Sequence, residues 1–190
     1  MNVLRRIVGL VAFAVVPVVG LSGCDTVAGD PQGLAPEDEP YLFDLSDPSF
    51  ELATPCKDIT DEQLQELGLR QMEEDEDPEV KSGLEMCSFF TQHDDSVVVT
   101  SAALKLPRLR EDAVAIPYDV TSEKQPAFVF SENGSIGCTV AAETNQGTVL
   151  VEFSSNDFDM KTPEQDCPDA EKYFDILIGG KLNEYRSHRS

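Results

Sequence analysis

Several residue types that commonly carry chemistry are scarce in this sequence. It contains no tryptophan, only two histidines, and 14 basic residues against 36 acidic ones. It also lacks a Gly-x-Ser-x-Gly nucleophile motif, a Cys-x-x-Cys redox pair, a zinc-type ligand spacing and a glycine loop that could cradle phosphate. The sequence therefore predicts no cofactor, no metal site and no catalytic residue.

The shortage of positive charge restricts the choice of partners. The formal net charge is −22 at pH 7. Nucleic acids and anionic lipid headgroups are polyanions, and a strongly acidic protein repels both. We therefore predict no nucleic-acid partner, whereas cationic partners remain compatible with the composition.

The sequence has a single long apolar run, and it lies at the N-terminus. Arg5 and Arg6 precede about fifteen apolar, glycine or proline residues from Ile7 to Leu21. This length suits a signal peptide and falls short of the ~20 residues of a membrane-spanning helix. The run ends in Leu21-Ser22-Gly23-Cys24, which resembles the lipobox of bacterial lipoproteins.

The lipobox predicts how the protein is anchored. Cleavage before Cys24 would remove residues 1–23, and the Cys24 thiol would then carry a diacylglyceryl group with acyl chains such as palmitate. Two or more acyl chains give stable membrane attachment. The expected location is the extracytoplasmic face of the cell membrane. An ordinary secretory signal with a chance cysteine and a lone transmembrane anchor are the alternatives.

The remaining chain divides by composition into three parts. Residues 24–45 contain the lipidated cysteine and a flexible acidic tether, residues 46–182 form one α+β domain, and residues 183–190 form a tail. The acidic run Glu73–Glu79 lies within the domain. A calcium site is one interpretation of this run, but it lacks the glycine turn and ligand spacing of an EF-hand loop, so a solvated loop is preferred.

Four cysteines remain besides Cys24, an even number in a chain expected to be exported. This number indicates a disulfide framework. Four cysteines allow three connectivities, and the sequence alone does not choose among them. The simplest arrangement joins neighbours along the chain and ties a helix start to a strand in each case. It pairs Cys56 with Cys87 and Cys138 with Cys167.

Helix signals are clear at two places. Thr60 and Gln63 have the spacing of a capping box, and Gly68 suits a left-handed C-cap. Near the C-terminus, Pro168 suits the first position of a final helix, which Gly179-Gly180 would end. The sequence between these helices contains strand patterns.

Two hairpins are predicted by alternating apolar residues. The first joins Met86–Thr91 to Ser96–Ala102 through a loop at His93-Asp94-Asp95, and Ala127–Phe130 is a further short strand. The second joins two strands whose apolar residues alternate, namely Ile136, Cys138 and Val140 on one and Val149, Val151 and Phe153 on the other. Between the hairpins, Ala103–Val120 is ambiguous, and Pro107 could open a short helix carrying Leu109 and Val114.

These elements predict an α+β domain with an antiparallel sheet of four to six strands and helices packed on one face. The expected core consists of Leu64, Leu67, Phe89, Val97, Val99, Ile136, Val140, Val151, Phe153, Phe174 and Leu177.

Candidate ligand-binding residues are few. His93 stands beside Asp94 and Asp95, which is too few ligands for a metal site, and no nucleophile motif accompanies it. The preferred interpretation is an exposed polar turn. Asn156, Asp157 and Asp159 could bind a cation, but such residues more often form loop turns.

The cysteine placements, with the residues around them, are similar to one family. Thr54-Pro55-Cys56, the helix from Thr60, Cys87-Ser88, Gly137-Cys138 and Cys167-Pro168 resemble the DUF3558 lipoproteins of actinobacteria, over roughly residues 54–182. The family usually has tryptophan after Cys-Ser, where this chain has Phe89. The resemblance implies export, lipidation and an α+β fold, and it implies no activity.

Two classes of function are compatible with these observations. The first is a non-enzymatic binding or interaction module at the cell envelope, whose partner would be an envelope protein, a lipid or a cell-wall component. The second is an envelope hydrolase that uses paired carboxylates, which requires a cleft with two facing acids and a raised pKa on one of them. The lack of any catalytic motif favours the first class.

Overall fold

A computed structural model describes residues 33–72, 83–132, 136–156 and 162–187. They form one antiparallel sheet with the strand order β1-β2-β3-β7-β6-β5-β4. The α+β prediction is confirmed. The sheet has seven strands rather than four to six because two of them are too short to show alternation. The strands are β1 Arg70–Gln71, β2 Leu84–Phe90, β3 Ser96–Ala102, β4 Ala113–Ala115, β5 Ala127–Glu132, β6 Cys138–Thr144 and β7 Gly147–Ser154.

The helices are short except near the C-terminus. They are α1 Pro55–Asp58, α2 Asp61–Leu67, α3 Leu106–Asp112, α4 Pro163–Phe174 and α5 Gly180–Ser187, with a π-helical turn at Asp175–Gly179 and a 3₁₀ turn at Ser122–Lys124. None of the helices in the described ranges is long and apolar enough to cross a membrane.

The predicted start and end of α2 are confirmed. Thr60 accepts the backbone N–H of Gln63 at 3.3 Å, and the Gln63 side chain accepts the N–H of Thr60 at 2.9 Å. Gly68 ends the helix with a φ of 64°, a left-handed conformation that glycine adopts without steric cost.

The main core lies between one face of the sheet and the helices α1, α2, α4 and α5, which pack on that face. Alternate residues of β2, β3, β6 and β7 point into it, as the hairpin patterns predict. Of the predicted core, Leu64 and Leu67 are half-buried, and Ile136 is 42% exposed because it precedes the first residue of β6. The other predicted residues are buried, namely Phe89, Val97, Val99, Val140, Val151, Phe153, Phe174 and Leu177.

In addition, α3 packs on the opposite face of the sheet. Leu106 joins Phe130 and Ala141 in a second, smaller apolar cluster, and Leu109 packs against it. Val114, which the sequence places on the same helix, lies instead on β4 and is 56% exposed.

The last helical region begins earlier than the sequence indicates. Helix α4 starts at Pro163, and the Thr162 N–H donates to Gln165 Oε1 at 2.9 Å, so the N-terminus lies five residues before Pro168. Pro168 lies inside the helix, where it lacks the N–H that would bond to Glu164. Burial of residues on both sides of it, Cys167 and Ala170, holds the helix against the sheet despite that loss.

The same region also ends later than the sequence indicates. Gly179-Gly180 does not stop it, because the π-helical turn leads directly into α5. Leu182 and Tyr185 are each 4% exposed, so the segment 183–187 belongs to the packed domain rather than to a tail.

At the N-terminal end, the chain packs on the domain before residue 45, where the tether is predicted to end. Leu42 forms an antiparallel bridge with Leu104, and the Phe43 N–H donates to the Ala103 carbonyl at 3.0 Å. Phe43 also stacks on Phe50 with ring centroids 5.3 Å apart.

Candidate functional site

Both predicted disulfides are present. Cys56–Cys87 joins α1 to β2 with a Cα–Cα distance of 5.8 Å, and Cys138–Cys167 joins β6 to α4 at 5.0 Å. The neighbour pairing is therefore confirmed. Each bond ties a helix to a strand of the sheet.

Some predicted site residues lie outside the described ranges. They are the lipidation site Cys24, the acidic run Glu73–Glu79 and the aspartates Asp157 and Asp159. The predictions made for them stay predictions.

The loop at His93-Asp94-Asp95 is a polar turn. The Thr91 hydroxyl accepts the backbone N–H groups of His93 and Asp95, both at 3.1 Å, and donates to Asp95 Oδ2 at 2.9 Å. Asp94 pairs with Arg70, and Asp95 Oδ1 accepts the Asn156 N–H. The carboxylates thus serve the turn. In the described ranges no three His, Cys, Asp or Glu residues are placed to hold a metal ion.

The most unusual acid is Glu85 on β2, which is completely buried. One oxygen, Oε2, accepts the backbone N–H of Cys56 at 3.1 Å, and the other, Oε1, has no hydrogen-bond partner among the residues that the structure describes. Directly opposite Glu85 on β3 lies Ser101, also completely buried, whose hydroxyl has no partner in the described part of the chain. Two unsatisfied polar groups thus face the same end of the core.

The surroundings of Glu85 are acidic. Burial raises the pKa of Glu85, the Cys56 N–H and Lys57 act in the opposite direction, and Asp58 raises the pKa further. Asp58 in turn accepts the Tyr185 hydroxyl at 2.7 Å, and burial with this bond raises the pKa of Tyr185. A raised pKa beside a second carboxylate is the pattern that the hydrolase alternative requires. Glu85 is enclosed, however, and so cannot contact a substrate in this conformation.

A second buried polar cluster surrounds Lys124, which is 3% exposed. Its ammonium group donates to Thr121 Oγ1 at 2.7 Å, to Glu171 Oε1 at 3.0 Å and to Asp175 Oδ1 at 2.7 Å. Tyr118 also donates its hydroxyl hydrogen to Glu171. Burial and this hydrogen bond raise the pKa of Tyr118 to about 12. All three ammonium protons have acceptors, so Lys124 has no donor left for a ligand. The cluster connects the segment before β5 to α4.

Part of the sheet face that carries α3 is uncovered. Met86, Thr100 and Leu150 lie side by side across β2, β3 and β7, with Leu84 and Val98 in adjacent rows. Leu84 and Met86 are 44% and 49% exposed, and the other three are half-buried. We call these five residues the open face. Four of its five residues are apolar, which suits contact with another molecule.

Sequence reasoning missed both the buried Glu85 and the open face, although the sequence of β2 indicates each of them. Glu85 has the same parity as the inward-facing Cys87 and Phe89, so strict alternation places it in the core. Leu84 and Met86 have the opposite parity, which makes both faces of this strand rich in apolar side chains. An antiparallel strand with one solvated face usually shows polar residues there.

Comparison with known protein families identifies a match over most of the chain. A family described as "Protein of unknown function (DUF3558)" matches residues 19–179. Searches of the curated proteins and of the solved structures found no match.

Proposed function

The chain belongs to the DUF3558 family. We propose that it is an actinobacterial lipoprotein, anchored through Cys24, that binds an envelope protein and is not an enzyme. The matched range, residues 19–179, includes the motif Leu21–Cys24, which supports the proposal.

The main support for an extracytoplasmic location is the pair of disulfides. Bonds of this kind form and persist outside the reducing cytosol. Cys56–Cys87 and Cys138–Cys167 both have Cα separations in the ordinary range for disulfides, and each joins two different elements. A domain held together in this way suits the extracytoplasmic face of the membrane.

A lipid on Cys24 would hold the domain close to the membrane. The residues between Cys24 and Gly33 span at most about 30 Å when fully extended. The chain then joins the domain beside the open face, because Leu45 packs over Gly83 and Gly83 immediately precedes Leu84. The open face would therefore lie within reach of proteins at the membrane surface.

The open face is the surface that we assign to the partner. Charge favours a protein with apolar contact residues surrounded by basic ones. Removal of the signal leaves 12 basic residues against 36 acidic ones, a formal net charge of −24, which repels anionic lipids. Apolar side chains in the middle of the contact and opposite charges at its rim are the usual anatomy of such interfaces.

Photo-crosslinking in intact cells tests this assignment. A benzophenone amino acid at position 86 should capture one envelope protein, whereas the same group at Val114, which is exposed on β4 and points to the other face, should not. With the purified partner, Met86→Asp should weaken binding at least about tenfold and Val114→Asp should leave it unchanged. Equal capture from both positions, or equal affinities of the two variants, would contradict the proposal.

The anchor needs a separate test. Cells fed labelled palmitate should incorporate the label into the wild-type protein and not into Cys24→Ser, which should leave the membrane fraction. Retention of the label by Cys24→Ser would show that the lipid is attached elsewhere.

The alternative function, an envelope hydrolase, rests on Glu85 and Asp58. The raised pKa of Glu85 favours it, and the complete enclosure of Glu85 speaks against it. We therefore prefer the binding function.

A further inference from the structure

A second binding position is suggested by Arg186 on α5, which is half-buried. Its Nη1 donates to the Glu123 carbonyl in the 3₁₀ turn, and its own carbonyl accepts the Asn145 side chain in the turn between β6 and β7. Arg186 is therefore held between two loops at one end of the sheet, on the face opposite the open face.

The guanidinium group of Arg186 has one edge for which the described residues supply no acceptor. Both Nε and Nη2 are buried, and neither has a hydrogen-bond partner within those ranges. These two nitrogens form one side of the planar group, and their N–H bonds run parallel. That spacing matches the two oxygens of a carboxylate, which can accept both bonds at once.

The charge of Arg186 is also uncompensated. The chain has 36 acidic residues, yet none in the described ranges forms an ion pair with this guanidinium. Leaving a buried charged donor without an acceptor is costly, and a bound anion would remove that cost. Burial lowers the pKa of Arg186, which agrees with a site that lacks its own counter-charge.

From this geometry we propose that the Nε–Nη2 edge of Arg186 binds the carboxylate group of a small ligand. A singly charged carboxylate suits the site better than a phosphate dianion, because the chain as a whole repels negative charge. Both nitrogens are enclosed in this conformation, as Glu85 is, so the carboxylate would reach them only when the 3₁₀ turn, where Ser122 and Glu123 are exposed, separates from α5. This site is independent of the open face and of the protein partner assigned to it.

Nuclear magnetic resonance of the mature chain carrying Cys24→Ser tests the proposal directly. Titration with sodium acetate at constant ionic strength, adjusted with sodium chloride, should shift the side-chain Nε–H resonance of Arg186 in a saturable way. An unchanged resonance would overturn the proposal. Sodium phosphate should bind more weakly than acetate, and tighter phosphate binding would overturn the assignment to carboxylates.

Variants provide the second readout. Arg186→Lys keeps the charge and loses the paired donors, so acetate affinity should fall at least about tenfold. The matched control is Arg110→Lys, since Arg110 is exposed on α3 and stacks over Phe128. It should bind acetate as the wild type does. Equal affinity of Arg186→Lys and wild type would refute the role of the paired edge. The resonance of the wild-type side chain decides the case if Arg186→Lys does not fold.

Discussion

At the scale of single residues, Glu85 couples the stability of the domain to pH. Its pKa is raised in the folded state, so the folded protein holds this proton more tightly than the unfolded chain does. The stabilisation associated with the proton is fully present below the pKa of the unfolded chain. It is lost as the pH rises through the folded-state pKa, and near neutral pH the buried carboxylate weakens the fold.

Replacing Glu85 by glutamine should therefore stabilise the protein at neutral pH. The amide oxygen can still accept the Cys56 N–H, and no charge has to be buried. We expect a gain of about 1 kcal/mol or more in the free energy of unfolding at pH 7, decreasing toward zero at pH 4. Urea unfolding at a series of pH values measures this difference. Glu66→Gln, at an exposed position on α2, is the control and should change stability little. A less stable Glu85→Gln variant at pH 7 would mean that the folded state stabilises the charged carboxylate.

Lys124 presents the opposite case, because its charge is fully compensated. Replacing it by methionine would remove an ammonium that donates three hydrogen bonds and would leave Glu171 without its cationic partner. Removing one member of a buried ion pair usually costs about 3 kcal/mol or more, so we expect a loss of that order. Lys181→Met is the matched control, since the Lys181–Glu184 pair is on the surface and should contribute little to stability. Similar losses in the two variants would show that the buried cluster contributes no more than a surface pair.

The loss in Lys124→Met should also depend on pH. Burial by itself would raise the pKa of Glu171, but the bonds from Lys124 and Tyr118 outweigh it and hold that pKa below its ordinary value. Such a carboxylate stabilises the fold above the pKa of the unfolded chain, and this contribution is lost as the pH falls through the folded-state pKa. The difference between wild type and Lys124→Met should therefore shrink in acid.

At the scale of elements, local signals predicted helix ends only where they agreed with packing. Thr60, Gln63 and Gly68 lie at the ends of a short helix, and all three act as the sequence predicts. At Gly179-Gly180 the same reasoning failed. Each glycine costs a helix about 1 kcal/mol, but burying Leu182 and Tyr185 in the next turns returns more than that. Burial of this kind depends on the sheet and is not visible in the local sequence.

The cap of α2 gives a test at this scale. Thr60→Ala removes the side-chain acceptor for the Gln63 N–H and should lower the free energy of unfolding by about 1 kcal/mol. Thr54 occupies the corresponding position before α1 and makes no side-chain capping bond, so Thr54→Ala is the matched control and should cost less. Thermal unfolding of both variants measures the difference. An equal or larger loss in Thr54→Ala would show that the capping bond is not what stabilises α2.

The candidate sites show the same division between pattern and packing. The parity of β2 predicts that Glu85 points inward and Met86 outward, so both positions could be read from the sequence. The sequence does not show that α3 and the N-terminal segment leave Met86 exposed, or that α5 carries Arg186 to the Glu123 carbonyl. Those facts depend on contacts between residues far apart in the chain, such as Arg186 and Glu123, which are 63 positions apart, and a single sequence does not contain them.

At the scale of the whole molecule, the two disulfides close loops of similar length but differ in how deeply their cysteines are buried. The paired cysteines are 31 and 29 residues apart, so the chain-entropy estimate is about 3–4 kcal/mol for each bond. Cys138 and Cys167 are both completely buried between β6 and α4, whereas Cys56 is half-buried in the one-turn helix α1. Loop entropy alone therefore predicts equal effects, and packing predicts that the second bond contributes more.

Paired serine variants separate these contributions. We expect Cys56→Ser/Cys87→Ser to lose about 3–4 kcal/mol, and Cys138→Ser/Cys167→Ser to lose more, because serine hydroxyls at two buried positions also need hydrogen-bond partners. Urea unfolding of the non-reduced proteins gives both values, and Cys24→Ser, which lies outside both loops, is the control. The single variant Cys87→Ser should leave Cys56 as the only new thiol that a thiol reagent labels. Labelling of Cys138 or Cys167 in that variant would show that the remaining cysteines exchange partners. An equal loss of unfolding free energy in the two double variants would mean that loop entropy is the whole effect.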